Sequence, residues 1–93
     1  MRTIDRSSAF KRDYKREAKG RYRTVVGDLL KEVLQALVND QPLEARYSDH
    51  DLSGEWAGYR ECHVRPDLLL IYRKSDVDTL RLARLGSHSE LFG

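Results

Sequence analysis

Cysteine is almost missing from this sequence: Cys62 is the only one in 93 residues, so no internal disulfide can form. One unpaired thiol fits a reducing compartment, and a cytoplasmic location is expected on that ground. No segment reaches the roughly 18 consecutive apolar residues of a membrane span, and the N-terminal residues lack the apolar core of a secretory signal. A membrane role is therefore not expected. Several catalytic signatures are missing too. The sequence has no His-Glu-x-x-His, Cys-x-x-Cys, phosphate-cradling glycine loop or Gly-x-Ser-x-Gly. Those absences remove the common zinc proteases, thiol redox centres, P-loop enzymes and serine hydrolases.

What is present is the composition of one globular domain spanning residues 1–93, with 40% hydrophobic and 34% charged residues. A chain this short cannot build a second core, and a deep cavity would consume the first. Function is expected on an open face or shallow groove. The net charge of +2 says little, but its distribution says more. Lys11, Arg12, Lys15, Arg16, Lys19, Arg21 and Arg23 crowd one stretch against only Asp13 and Glu17. Asp40, Glu44, Asp49, Asp51 and Glu55 gather later. The molecule is expected to be electrically polar, with one basic flank.

Hydrophobic spacing gives the elements. Residues 2–6 form a short possible edge strand. Ser7 or Ser8 offers a helix N-cap, and Phe10, Tyr14 and Ala18 recur every fourth position until Gly20. A second helix runs from about Thr24 to Val38, its wide apolar face made by Val26, Leu29, Leu30, Val33, Leu34 and Leu37. Residues 47–53 read as a polar loop. A strand follows from Trp56 to Val64, with Tyr59, Glu61 and His63 on one side and Arg60, Cys62 and Val64 on the other. Pro66 and Asp67 make a turn, residues 68–73 a central strand, residues 75–78 a hairpin loop, and residues 79–85 a third strand. A polar tail ends the chain. The expected fold is α+β, with two N-terminal helices packed on one face of a small, mainly antiparallel sheet and the other face open.

Three histidines lie where a meander could gather them: His50 before it, His63 on its first strand and His88 after its last, with Asp67 near the same end. Histidine exchanges protons near neutral pH because its ordinary pKa is about 6.5. Each residue also has a plain structural reading. His50 and His88 suit solvated segments, His63 suits a strand, and Asp67 suits a turn. Their spacing, 13 and 25 residues from His63 back to His50 and on to His88, matches no standard metal-ligand pattern. Neither metal nor cofactor is expected. Lys11, Lys15 and Lys19 fall on one face of the first helix, which reads as a solvated face or a phosphate-binding one. Trp56, Tyr59 and Phe92 are the aromatics able to stack on bases, with Trp56 also suited to the core. Cys62 reads as a small buried hydrophobe.

The run from Asp49 to Val64 resembles the Asp-His-x-Leu-x-Gly-x-Trp-x-Gly-x-Arg-x-x-His-Val segment of YafQ-type toxins within the RelE superfamily. Pro66-Asp67 and the apolar strand through Tyr72 continue the match, and residues 86–92 resemble the family's Gly-Thr/Ser-His-x-x-Leu-Phe ending. The likeness is dense from Tyr47 onward and mainly one of helical pattern before it. It implies the compact RelE-like fold and a metal-independent endoribonuclease acting on ribosome-bound messenger RNA. It implies catalytic roles for His50, His63, Asp67 and His88, with His88 as general acid and the others sharing base and orienting duties unranked. Phe92 would lie near the cut. Glu61 would contact substrate, although a toxin of that family carries aspartate there. Lys11, Lys15, Arg16 and Lys19 would dock on ribosomal RNA. The implied partner is a DinJ-like antitoxin, laying an acidic or hydrophobic segment over the basic and histidine-bearing surfaces, through which the complex could bind operator DNA. The competing expectations are a non-catalytic module binding antitoxin or RNA, and a metal-dependent hydrolase.

Overall fold

Ser7 opens the first helix because its hydroxyl accepts a hydrogen bond from the Phe10 amide at 2.9 Å, satisfying one of the free N–H groups of the first turn. In the computed structural model, which describes all 93 residues, this helix is α1 (Ser8–Glu17), preceded by strand β1 (Thr3–Arg6) and followed by α2 (Val26–Val38). The remaining elements are β2 (His50–Asp51), β3 (Arg60–Arg65), β4 (Leu68–Asp76), β5 (Thr79–Gly86) and α3 (His88–Phe92). The five strands form one sheet in the order β1-β5-β4-β3-β2, with β1 parallel to β5 and every other pair antiparallel. The α+β architecture is as expected. No helix is long and apolar enough to cross a membrane.

The 3.6-residue period of α2 buries Val26, Leu30, Val33 and Leu37 against one face of the sheet. Phe10 joins that core from α1, with Tyr14 and Ala18 packed beside it. Strand alternation does the rest. Cys62 and Val64 of β3 point to the helices, as do Leu70 and Tyr72 of β4 and Leu82 and Leu85 of β5. Cys62 is fully buried, and burial, reinforced by the charges of Asp49 and Glu61, pushes its thiol up to about 12. Such a thiol stays protonated and is inert at neutral pH.

The opposite face differs from the bare surface expected. Leu69, Ile71 and Ala83 are buried there beneath Leu91 of α3, with Leu52, Trp56 and Tyr59 at the margin. Four elements depart from the sequence reading. Trp56 lies not in a strand but in a single 3-10 turn (Gly54–Trp56), because Gly54 (φ +67°) and Gly58 (φ +93°) break the extended run. β4 extends to Asp76, leaving only Val77 and Asp78 for the turn. Residues 47–53 contribute the short fifth strand β2. The polar tail is the helix α3, closed by a capping box in which Ser87 and Glu90 satisfy each other's backbone amides.

The edge of β5 explains α1. β1 pairs only as far as Leu82. Beyond it, the Asp13 carboxylate accepts from the Leu85 amide at 3.0 Å and the Arg16 guanidinium donates to the Leu85 carbonyl at 2.8 Å. Two side chains of one helix thus take the place of a neighbouring strand and leave no open edge there. Asp13 is 3% exposed and also receives Arg84 at 2.7 Å and Arg16 at 3.0 Å. Burial alone would raise its carboxyl. Arg84, the Leu85 amide and Arg16 outweigh that and hold it below the usual carboxylate range.

Two of the basic residues assigned to RNA docking fall differently. Arg16 is paired with Asp13, Glu17 and Glu90, each at 3.0 Å, so its guanidinium serves the fold. Lys19 lies past the end of α1, and therefore does not continue the Lys11–Lys15 face. Lys11 and Lys15 remain exposed on the helix.

Candidate active site

The register of β3 creates the site. His50 of β2 stands opposite Glu61 of β3, so their side chains share the sheet face away from α2, and His63 follows two positions along. Glu61 is 6% exposed, yet its carboxylate meets no guanidinium or lysine. Instead Oε2 lies 3.1 Å from His50 Nε2 and Oε1 lies 3.9 Å from His63 Nε2. The two imidazoles are 6.2 Å apart between centroids. A buried carboxylate held between two histidines orients them and takes up the charge when either gains a proton. The sequence reading set Glu61 against substrate; in the structure its buried carboxylate faces the two rings.

His50 is held at its other nitrogen as well. Nδ1 lies 2.7 Å from the Ser48 carbonyl, which can only accept, so Nδ1 carries a proton. Ser48 turns its carbonyl inward by adopting a left-handed conformation (φ +48°), uncommon for a residue with a side chain. The neighbouring residue fixes the segment. The Asp49 carboxylate receives the Tyr72 hydroxyl at 2.5 Å and Arg60 at 2.9 Å, while Arg60 also holds Asp51 at 2.5 Å. Burial first, then the Asp49 charge, raises the Tyr72 hydroxyl well above its usual range, so it remains a donor.

That anchor is directly testable. Tyr72→Phe removes a donor to a charged acceptor and keeps the ring, so a loss of about 1.5–3 kcal/mol is expected. It should appear as a lower urea midpoint with unchanged slope. The His50 imidazole resonances should broaden as β2 loosens. A variant with wild-type midpoint and sharp His50 resonances would remove the anchor.

The other two expected residues sit at the same end of the sheet. A register row runs from His63 through Leu69 to Gly86, and His88 opens α3 two residues later. The His88 ring lies 5.0 Å from that of Phe92 one turn on. Gly86 leaves room for Arg16 and Glu90 to close beside α3, since a Cβ there would lie 2.5 Å from the Arg16 guanidinium and 3.0 Å from the Glu90 carboxylate. Asp67 occupies the β3–β4 turn, 59% exposed at its side chain and 3.9 Å from Arg21. It borders a recess shared with Ser87 and Glu90, beside α3. The structure thus gathers His50, Glu61 and His63 tightly and pairs His88 with Phe92. Asp67 makes no ion pair with a histidine. Bulges at Val64 and Ala83 flank the cluster and adjust its strands.

Sequence reasoning missed three contributors. Asp49 and Tyr72 hold β2, and Arg84 shares a register row with Glu61 through Ile71. The signal for Arg84 was its place two residues before Gly86, but its side chain is committed to Asp13. No group of three or more His, Cys, Asp or Glu side chains has the geometry to hold a metal ion. Chemically, the cluster offers proton acceptors, an adjacent donor and an aromatic ring on one exposed face.

Comparison with known proteins agrees over the whole chain. The family described as "Bacterial toxin of type II toxin-antitoxin system, YafQ" matches residues 2–93. The mRNA interferase toxin YafQ of Escherichia coli K12 is 42% identical over 94 residues, covering 100% of this chain and 98% of the relative. In the crystal structure of the E. coli DinJ–YafQ complex, a chain 41% identical superposes with a TM-score of 0.85, with both chains fully covered. A copper-bound mutant toxin from Helicobacter pylori is 38% identical with a TM-score of 0.89, covering 99% of this chain and 100% of its own.

Proposed function

The chain belongs to the YafQ family of bacterial type II toxin–antitoxin toxins, and from that premise we propose that it is an endoribonuclease that cuts messenger RNA on the ribosome and so inhibits translation. The observation that carries this reading is the buried Glu61 carboxylate between His50 and His63, on a face whose far corner holds His88. RNA brings its own nucleophile. A base in the His50–Glu61–His63 group takes the 2′-hydroxyl proton, and the 2′ oxygen attacks the adjacent phosphorus. The bond to the 5′ oxygen breaks, and His88 gives that oxygen a proton. The products are a 2′,3′-cyclic phosphate and a free 5′-hydroxyl. No enzyme nucleophile enters, and Asp67 lies at the same end to orient substrate or water.

The partner is a DinJ-like antitoxin, by likeness to the E. coli complex. An apolar groove of about 620 Å³ between β1, α1 and α2 supports such a seat, lined by Ile4, Phe10, Leu30 and Leu34 and rimmed by Arg6 and Lys31. Neither rim cation has a carboxylate partner, which suits an apolar segment with acidic flanks. Ribosome docking falls to Lys11 and Lys15, whose ammonium groups are exposed and unpaired. The complex would meet operator DNA through the antitoxin.

Cleavage of a ribosome-bound messenger by the purified chain tests this function. Cutting is expected to persist in EDTA, with ribosome integrity followed separately, and to stop when the nucleotide at the cut carries a 2′-deoxy sugar. Chelator sensitivity would instead favour a metal-dependent hydrolase, a live comparison because the mutant toxin from Helicobacter pylori is copper-bound. A folded protein that makes no product would favour a module that only binds.

A further inference from the structure

The sheet face away from α2 does not end at the histidines. Two residues farther along β4 from the row of Glu61, Ile71 and Arg84, and three along β5 past its bulge, lies the row in which Arg73 of β4 stands beside Arg81 of β5. Successive same-face rows are separated by about 6.6 Å, twice the strand rise. This row therefore lies one step from the buried carboxylate. The Arg73 guanidinium sits 5.6 Å above the Tyr59 ring, and Tyr59 meets Trp56 edge-on at 5.2 Å and 87°. Both rings are only partly buried. Arg73 is exposed and makes no ion pair, while Arg81 is held by Asp5 at 2.5 Å.

Packing against Leu69, Ile71, Ala83 and Leu91 accounts for the inner sides of the two rings, but not for an unpaired guanidinium held over one of them. A cation fixed over an aromatic ring, with no carboxylate to neutralise it, is set to receive an anion. A partly exposed indole beside it offers a face on which a base can stack. A phosphate next to a base is the repeating unit of single-stranded nucleic acid. We infer that Trp56, Tyr59 and Arg73 form a nucleotide-binding platform for single-stranded RNA, engaging the nucleotide next to the one whose phosphate is cut. Arg73 takes the phosphate, Trp56 stacks on the base, and Tyr59 holds the guanidinium in place. The position of the platform relative to the cut rests on the function proposed above; its affinity for RNA does not. Binding here adds a second anchor to the strand, so the scissile phosphate is presented to His63 and His88 at a fixed distance rather than by one contact.

Trp56 is the only tryptophan in the chain, so its fluorescence reports on the platform directly. The probe is a single-stranded hexaribonucleotide with 2′-O-methyl groups throughout, which cannot be cut. Its binding is followed by Trp56 emission and, in parallel, by anisotropy of a dye on the RNA. Emission is expected to be quenched on saturation. Arg73→Ala is expected to weaken binding by about tenfold or more. It should also reduce the salt dependence, log K against log salt, by about 0.7, the value of one phosphate contact on a single strand. Arg73→Lys should restore the salt slope without the full affinity. Tyr59→Leu should weaken binding while leaving Arg73 charged.

Arg73 is exposed, so its removal leaves the core intact and the comparison survives any loss of stability in Tyr59→Leu. Unchanged Trp56 emission at saturation, or Arg73→Ala binding with wild-type affinity and slope, would overturn the platform. Failure of the wild type to bind the probe would overturn it as well. Two combinations separate this inference from the proposed function. RNA that binds through Arg73 but is never cut on ribosomes removes the activity and keeps the platform. Cutting that Arg73→Ala leaves untouched in both rate and KM removes the platform and keeps the activity.

Discussion

His88→Ala is expected to slow cleavage by about 10²–10⁴-fold while the protein remains folded. The leaving 5′ oxygen is a poor leaving group unless it is protonated as the bond breaks, so loss of the proton donor acts on the chemical step itself. His88 is exposed at the start of α3, and alanine suits that position, so the substitution removes chemistry without opening the core. His63→Ala should behave alike, since it takes one of two imidazoles from Glu61. The measurement is a single-turnover cleavage rate beside a thermal melt. A rate constant that falls while substrate affinity holds assigns the loss to the transition state. Either variant cutting at the wild-type rate with a normal melt would end the assignment for that residue.

Asp13→Ala is the change with the largest expected effect on stability, about 3–5 kcal/mol, because it leaves charged partners facing a buried gap. Asp13 joins Arg84, Arg16 and the Leu85 amide in one place. Without it, the β5 edge amide has no acceptor and two guanidinium groups face each other. That loss is a large part of the total for a domain of this size. Asp13→Asn keeps the acceptor for Leu85 but not the charge, and should fall between wild type and alanine. The pH dependence follows from the lowered carboxyl. A group more acidic in the folded than in the unfolded chain contributes fully above its unfolded value, here 3.8, and that contribution fades as the pH falls toward the folded value. Wild-type urea midpoints should therefore drop in that acid window, and Asp13→Asn should drop less. Equal acid sensitivity in the two proteins would sink the account.

The helical core was open to view in the sequence, because burial imposes a period. Val26, Leu30, Val33 and Leu37 could face only one way. Alternation along β3 separated Glu61 and His63 from Cys62 and Val64 in the same manner. What stayed hidden is held by polar contacts that carry no period. β2 is two residues long and owes its place to Asp49, Arg60 and Tyr72, the last of them 23 positions from Asp49. α3 is only five residues long and depends on a capping box and on Arg16. Arg16 itself looked like one more cation in a basic helix. Only the distant pairing of α1 with Leu85 separates it from Lys15.

Asp13 and Leu85 are 72 residues apart in the chain. A contact across such a span repays its loop-closure entropy only after most other contacts exist, whereas the β3–β4 and β4–β5 hairpins form locally. The β1–α1 unit is thus the last part expected to dock during folding and the first to leave during opening. When it leaves, Arg16 leaves with it, and α3 loses the partner that holds Glu90. The meander can survive that event, but His88 is then free of its anchor. Catalytic competence is in this way tied to cooperative closure of the whole chain: a partly folded molecule, however well formed its hairpins, leaves His88 out of register with His50 and His63.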